Sequence, residues 1–278
     1  MPSLDPRRRP LPDHGPEPDL GLTTELGATF GATGGATGVL AALEEELAPL
    51  RALVAERPRA TWTATSVLGL DVVRFALALP GVAAPAGLLV VCSGVGKVAA
   101  AHAVAALAAA GATRLLVVGT CGGLHPATPV GALVHADVAT QWDLAVRAGR
   151  EHRADRGLLA AWRAVAGGEV GHVLTADRPA VRLLERWRRQ RALSRAARAA
   201  APPGSRGAGS RPLAVADMET AAAAAVAARL GLPWAALRAV TDAARPGAAG
   251  AFAANLASQG GRAAATIPAL LARLAASP

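Results

Sequence analysis

The sequence contains no tyrosine, one lysine and two cysteines among 278 residues, and only 3% of the residues are aromatic. Two cysteines cannot form a dense disulfide framework, so we expect Cys92 and Cys121 to be reduced thiols in a cytoplasmic protein. No apolar run reaches the length of about 20 residues that a membrane-spanning helix needs. Proline and aspartate, rather than an apolar segment, follow the arginines at 7–9, so we predict no secretory signal.

Residues typical of metal or nucleophilic chemistry are sparse. The six histidines show no spacing typical of metal ligands. Ser93 has no His/Asp relay in the sequence, and no histidine beside Cys121 would activate its thiol. We therefore expect neither a metal site nor a covalent nucleophile.

The net charge of +9 comes from one segment of the chain. Residues 178–212 hold ten arginines against one acid, Glu185, and the remaining 19 basic and 19 acidic residues balance. The globular part is therefore electrically neutral, and we interpret the arginine-rich segment as a solvated insert. Its arginines are at positions 178, 182, 186, 188, 189, 191, 195, 198, 206 and 211.

Apolar strands alternate with helical segments, which is typical of an α/β layered fold in one domain, residues 37–278. Residues 1–36, rich in Pro, Gly and Thr, are predicted to be a disordered extension or to follow a misplaced start codon. We expect a final helix over 247–274, bent near Pro268. Strands are expected at 38–43, 61–79 with a turn at Gly69, 87–92, 114–119, 131–138 and 170–175.

Glycine-rich turns follow two of the apolar strands. Residues 93–97, Ser-Gly-Val-Gly-Lys, have the shape of a turn that cradles phosphate at a helix start, or of a tight turn that allows close helix–sheet packing. Residues 120–123, Thr-Cys-Gly-Gly, would let a flat ligand approach the backbone at Gly122, or would form a plain strand-to-loop turn.

Carboxylates follow three further strands, at residues 44–46, at 217–219 and at Asp242. Acids at strand-to-helix turns commonly cap helices or interact with the helix dipole. Acids at strand ends also lie on the edge of an α/β sheet where ligands bind, and there one can hold a substrate while another transfers a proton.

Six motifs occur in the order and spacing of the nucleoside phosphorylase/nucleosidase superfamily, and the chain most resembles its 5′-methylthioadenosine/S-adenosylhomocysteine nucleosidases. The resemblance covers residues 38–274 and implies a three-layer sandwich with a mixed central β-sheet flanked by helices. The motifs are Ala42-Leu43-Glu44-Glu45-Glu46-Leu47, Ser93-Gly94-Val95-Gly96-Lys97, Gly119-Thr120-Cys121-Gly122-Gly123-Leu124, Val130-Gly131 with Gln141-Trp142-Asp143, Asp217-Met218-Glu219, and Thr241-Asp242-Ala243-Ala244.

The resemblance also implies roles for individual residues. Glu46 would activate the attacking water, and Asp242 would protonate the purine at N7. Glu219 would hold the ribose hydroxyls, with Met218 packed on the sugar. Breaking an N-glycosidic bond passes through a cationic sugar, so the leaving base needs a proton and the water needs a base. Further expected substrate contacts are Ser93, Thr120, Gly122 and Thr241.

The implied reaction is hydrolysis of a purine nucleoside to release the free base, without metal or organic cofactor. The resemblance further implies a homodimer, with Trp142 and the first helices as candidates for its interface. Related phosphorylases hold phosphate at a Gly- and Arg-containing N-terminal site. The three glutamates at 44–46 would repel phosphate, which favours water as the nucleophile.

Three departures from the family pattern leave alternatives open. Pro179 stands where an aromatic residue usually stacks on the base, Arg245 stands where an acid is usual, and the arginine-rich segment lies in the part of the chain that normally caps the base. One alternative is a futalosine-type nucleoside hydrolase, whose acidic base analogue this segment would admit, and another is a phosphate-dependent phosphorylase. A third is a non-catalytic protein whose arginine-rich segment binds nucleic acid, although Trp187 is the only aromatic residue there for base stacking.

Overall fold

The computed structural model describes residues 35–56, 62–79, 81–82, 85–124, 128–145, 149–178, 213–243 and 247–276. The predicted N-terminal extension, up to residue 34, lies outside the described residues. The same holds for positions 179–212 of the arginine-rich segment, including Pro179, and for Arg245. The predicted domain boundaries therefore stay predictions.

Strands and helices alternate along the described chain. The strands are β1 (Ala36–Ala41), β2 (Trp62–Val67), β3 (Leu70–Leu77), β4 (Ala86–Cys92), β5 (Ala112–Gly123), β6 (Leu133–Gln141), β7 (Glu151–Arg153), β8 (Glu169–Thr175), β9 (Leu213–Asp217) and β10 (Trp234–Asp242). The helices are α1 (Glu44–Ala55), α2 (Lys97–Ala109), α3 (Arg156–Ala166), α4 (Thr220–Arg229), α5 (Ala248–Gln259) and α6 (Ile267–Ala275).

All ten strands belong to one mixed sheet in the order β10-β6-β8-β9-β5-β1-β4-β3-β2, with β7 paired to β6. Strand β1 runs parallel to both β4 and β5, and β5 also pairs in parallel with β10. The β10–β5 pairing closes β5, β9, β8, β6 and β10 into a ring. The sheet thus brings the ends of β1, β5 and β10 side by side.

Helices cover both faces of the sheet, as the alternation of buried residues requires. In β5, Leu115 and Val117 pack in a core with α2 and α4, whereas Leu116 and Val118 pack in a second core with α1, α3 and α6. Burying one such side chain contributes roughly 1.5–3 kcal/mol. The predicted α/β fold, with a mixed central sheet flanked by helices, is confirmed.

The final helical segment differs from the prediction of one helix bent near Pro268. Helix α5 ends at Gln259, two short 3-10 turns follow, and α6 begins at Ile267. A Cβ on Gly261 would stand 2.7 Å from Cδ of Pro49, so the break lets the backbone pass close to α1. Pro268 lies in the first turn of α6, where its missing N–H breaks no helical hydrogen bond.

Candidate active site

A cavity of about 380 Å³ opens at the edge of the sheet where β1, β5, β9 and β10 end. This is the edge at which open α/β sheets bind ligands. The cavity wall includes seven of the eight site residues that the sequence predicted. The first and the last of them, Glu46 and Asp242, are 196 positions apart along the chain. The seven are Glu46, Thr120, Gly122, Met218, Glu219, Thr241 and Asp242.

Four hydrogen bonds orient the Glu46 carboxylate in the cavity. Its Oε1 accepts hydrogen bonds from the backbone N–H of Thr120 at 2.7 Å and from the Thr120 hydroxyl at 2.8 Å. Its Oε2 accepts from the backbone N–H groups of Ala42 at 3.0 Å and Leu43 at 3.2 Å. Glu46 therefore caps the start of α1, as acids at strand-to-helix turns commonly do, and it also lines the cavity.

Arg238 is a site residue that the sequence analysis missed. Its side chain is 1% exposed, and its guanidinium forms ion pairs with Asp217 at 2.7 Å and Glu219 at 3.6 Å. Burial alone would lower the pKa of Arg238, but Asp217, Glu219 and Glu46 outweigh that effect and raise it. A lone arginine in the otherwise apolar strand β10 was the available signal, because a buried charge requires partners.

Asp217 holds this arginine in place rather than facing a ligand freely. Its carboxylate accepts hydrogen bonds from the Thr175 hydroxyl at 2.5 Å, the Thr220 backbone N–H at 2.9 Å and the Thr220 hydroxyl, besides the ion pair with Arg238. The Thr220 hydroxyl in turn accepts from Nη2 of Arg238 at 2.7 Å. Removing one partner of such a buried pair typically costs about 3–5 kcal/mol.

Glu219 titrates in an unusual range. Burial raises its pKa from 4.5 to about 7, and the nearby Asp217 and Glu46 also raise it. The cation of Arg238 and the N–H of Gly96, which donates to Oε1 of Glu219 at 3.0 Å, act in the opposite direction. Glu219 therefore exchanges a proton near neutral pH.

This proton makes folding stability depend on pH through Glu219. Because the folded pKa lies above the ordinary value, the group favours folding at low pH, and this contribution is lost as pH rises from about 4.5 through about 7. Against a Glu219→Gln variant, we expect wild-type stability to fall by on the order of 3 kcal/mol from about pH 4 to about pH 8. Urea unfolding of both proteins across this range measures it, and parallel curves would contradict the assignment.

Gly119 leaves the space in which Arg238 and Glu46 approach each other. It has a φ of +146°, and a Cβ there would stand 2.4 Å from Nη1 of Arg238 and 2.8 Å from Oε1 of Glu46. The guanidinium and the carboxylate therefore lie around the same glycine, without room for a side chain between them.

We expect Gly119→Ala to displace this pair. The variant should lose about 1–3 kcal/mol of unfolding free energy through overpacking, and activity should fall further than that loss explains because Glu46 shifts. Thermal unfolding and turnover, measured together, test the prediction. Gly69→Ala is the control, because Gly69 also has a positive φ but a Cβ there meets nothing within 4 Å.

Asp242 lies across the cavity at the end of β10 and is 8% exposed. The Thr241 hydroxyl lies 3.2 Å from both Oδ2 of Asp242 and the carbonyl oxygen of Cys121. The amide of Asn255 in α5 donates to the carbonyl oxygen of Thr241 at 2.9 Å. Contacts from β5 and α5 thus fix the strand end that carries the carboxylate.

Ser93 lies outside the cavity wall, unlike the other predicted site residues. Its hydroxyl is 3.2 Å from the carbonyl oxygen of Ala41 and 2.7 Å from that of Gly94, so it stabilises the turn after β4. Cys121 does line the cavity, but burial raises the pKa of its thiol well above the ordinary value. A raised pKa keeps a thiol protonated at neutral pH, and the protonated thiol is a poor nucleophile.

The described residues contain neither a group of potential metal ligands nor a membrane-spanning helix. Within these ranges, no three His, Cys, Asp or Glu side chains are grouped so that they could hold a metal ion. Among the same residues, no helix is long and apolar enough to cross a membrane.

The fold and the cavity define an α/β protein with a carboxylate-rich ligand site at the edge of a mixed sheet. The sequence profile described as Phosphorylase superfamily matches residues 36–276, and the chain belongs to that superfamily. The superfamily predicted from the six motifs is thereby confirmed. No curated protein matches the chain by sequence.

Solved structures share the fold at low sequence identity. S-adenosylhomocysteine nucleosidase from Streptococcus pyogenes, in complex with 5-methylthiotubericidin, matches with a TM-score of 0.71 and 24% identity over 88% of this chain and 99% of that chain. The 5′-methylthioadenosine/S-adenosylhomocysteine nucleosidase of Neisseria meningitidis gives 0.69 and 21%, over 85% and 98%. Futalosine hydrolase of Helicobacter pylori gives 0.70 and 18%, over 85% and 97%.

Proposed function

We propose that this protein hydrolyses the N-glycosidic bond of a purine nucleoside related to 5′-methylthioadenosine or S-adenosylhomocysteine. The observation that carries the proposal is one cavity lined by Glu46, Glu219 and Asp242, three carboxylates delivered by different strand ends. Two of the structural neighbours are nucleosidases named for these substrates, which supports the choice of substrate.

In the proposed reaction, water attacks the anomeric carbon as the bond to the base breaks. Glu46 takes a proton from the water, the electron pair of the broken bond passes to the purine, and Asp242 gives a proton to N7. The products are the free base and the sugar. Protein donors contact both oxygens of Glu46 with four hydrogen bonds. The Thr120 hydroxyl is the one donor that can rotate away to admit water.

The charge balance of the site favours a cationic transition state. The carboxylates of Glu46 and Asp217, and that of Glu219 when it is ionised, surround one guanidinium, that of Arg238. Preorganised negative groups are most effective where positive charge develops, in a cavity from which water is excluded. Glu219 would bind the ribose hydroxyls, and the oxocarbenium-like sugar would form between it and Glu46.

The apolar part of the wall supports an alkylthio substituent on the sugar. Val95, Met218 and Phe252 line it together with the alanines at 248 and 249. Such surfaces favour an alkylthio group over a phosphate, because burying an unpaired charge is costly.

The test is release of free base from methylthioadenosine, S-adenosylhomocysteine, inosine and futalosine, each with and without phosphate. We expect release of adenine from one or both of the first two nucleosides, independent of phosphate. Strict phosphate dependence would instead indicate a phosphorylase. Activity on futalosine alone would favour the second candidate, which the structural likeness to a futalosine hydrolase supports.

We further propose that the protein acts as a homodimer in which a second copy covers the start of α2. Val98 is 84% exposed and Val95 is 53% exposed, and Val95 also lines the cavity. Trp142, which the resemblance implied for the interface together with the first helices, packs half-buried against a small core that includes Leu174. Sedimentation should give twice the mass of one chain, and Val98→Arg should sediment as a single chain. A monomeric wild type would contradict the proposal.

A further inference from the structure

Lys97 is the only lysine in a chain with 29 basic residues, and it begins α2 beside the cavity. Its ammonium lies 2.7 Å from Oδ1 of Asp143 and 3.2 Å from Oδ2 of Asp177. Asp143 follows β6 and Asp177 follows β8, so one cation joins three separate elements. We name Lys97, Asp143 and Asp177 the Lys97 cluster.

The cluster is closed by backbone contacts as well as by charge. The backbone N–H of Asp177 donates to Oδ2 of Asp143 at 3.0 Å, and that of Lys97 donates to Oδ1 of Asp177 at 3.3 Å. Partial burial alone would lower the pKa of Lys97, but the two carboxylates outweigh it and raise the pKa. With only 16% of its side chain exposed, Lys97 is better shielded than an ordinary surface ion pair.

The residue before Lys97 contacts the candidate sugar-binding carboxylate. The backbone N–H of Gly96 donates to Oε1 of Glu219 at 3.0 Å. Gly96 has a φ of +105°, which side-chain-bearing residues rarely adopt, so this N–H direction depends on a turn that glycine permits. A shift of Lys97 would therefore move the Gly96 N–H that donates to Glu219.

We propose that Lys97 is a positioning residue for sugar recognition, because the Lys97 cluster fixes the turn whose Gly96 N–H orients Glu219. The inference rests on the proposed function for the role of Glu219, although the contacts stand without it. A cation suits this position, since a positive charge with several N–H donors can serve two carboxylates at once.

The experiment compares Lys97→Met and Lys97→Arg with wild type on the nucleoside that shows base release. We expect Lys97→Met to raise KM about 10-fold with kcat within about two-fold, the pattern of lost binding shared by ground and transition states. Lys97→Arg keeps the cation and should recover most of the affinity. Arg153→Met is the matched control, because it removes an exposed ion pair with Asp137 at 3.6 Å.

A second readout needs no turnover and so separates this proposal from the proposed function. The groups that face Glu219 are Arg238, Asp217, Glu46 and the Gly96 N–H, and only the last should move in Lys97→Met. Because that N–H favours the ionised carboxylate, the pH at which the Glu219-dependent stability is lost should rise. Urea unfolding of Lys97→Met and of the double variant Lys97→Met/Glu219→Gln, compared across pH, isolates the contribution of Glu219 to stability.

Two outcomes would overturn the inference. One is a Lys97→Met protein with lower thermal stability but unchanged KM and unchanged Glu219 titration, which would make the cluster merely structural. The other is a Lys97→Arg protein as impaired as Lys97→Met. If Lys97→Met does not fold, Asp143→Asn removes one arm of the cluster, and the same two readouts apply with smaller shifts.

Discussion

Replacing Glu46 with glutamine should lower kcat by about 10²–10⁴-fold, the contribution of a positioned general base. The amide cannot take the proton of water, and its NH2 group must also face backbone donors. Those donors are the N–H groups of Ala42 and Leu43 on one side and of Thr120 on the other. We therefore expect the same fold with roughly 1–3 kcal/mol less stability. Turnover is measured well below the unfolding temperature.

Thr120→Val provides the matched control for Glu46→Gln. It removes one donor to Oε1 of Glu46 while keeping both the carboxylate and the Thr120 backbone N–H. Its activity should fall less than that of the glutamine variant. If the kcat of Glu46→Gln lies within about three-fold of the wild-type value, Glu46 is not the general base.

Replacing Asp242 with asparagine should also lower turnover by about 10²–10⁴-fold, because the amide has no acidic proton to give to the purine. Asparagine has nearly the same shape as aspartate, and its side-chain oxygen can still accept the hydrogen bond from the Thr241 hydroxyl. The measurement is kcat for a purine nucleoside and for a 4-nitrophenyl riboside, whose leaving group departs without a proton.

Turnover of the two substrates distinguishes the general acid, Asp242, from the general base, Glu46. Asp242→Asn should recover most of its relative activity on the nitrophenyl riboside, whereas Glu46→Gln should remain slow on both, because each reaction still needs activated water. An equal loss of activity on both substrates in Asp242→Asn would show that Asp242 binds or positions the substrate rather than protonating it.

Much of the fold could be predicted from the sequence. The two strands around Gly69 and the apolar strands β4 and β5 were expected, because their hydrophobic patterns are local. The final helical segment was predicted as one helix. It is broken where Gly260 and Gly261 pass close to α1, a contact between segments about 210 positions apart that no local pattern reveals.

The candidate site was predicted in outline rather than in its electrostatics. Glu46, Glu219 and Asp242 were identified as acids at strand ends, and the sheet brings all three to one cavity. Arg238 was missed because a single arginine in an apolar strand gives no sign of its partners. Ser93 was expected at the substrate, yet its hydroxyl faces carbonyl oxygens of its own turn and of β1.

Residue order and short-range pattern were enough to predict the superfamily, the alternation of strands and helices, and the carboxylates that end the strands. That Asp217 holds Arg238, that Gly96 contacts Glu219, and that the pKa of Glu219 is raised could be learned from the folded chain alone. These properties follow from electrostatic energies, which depend on distance and burial. The contact between Gly96 and Glu219, for example, joins residues 123 positions apart, which no short-range pattern reveals.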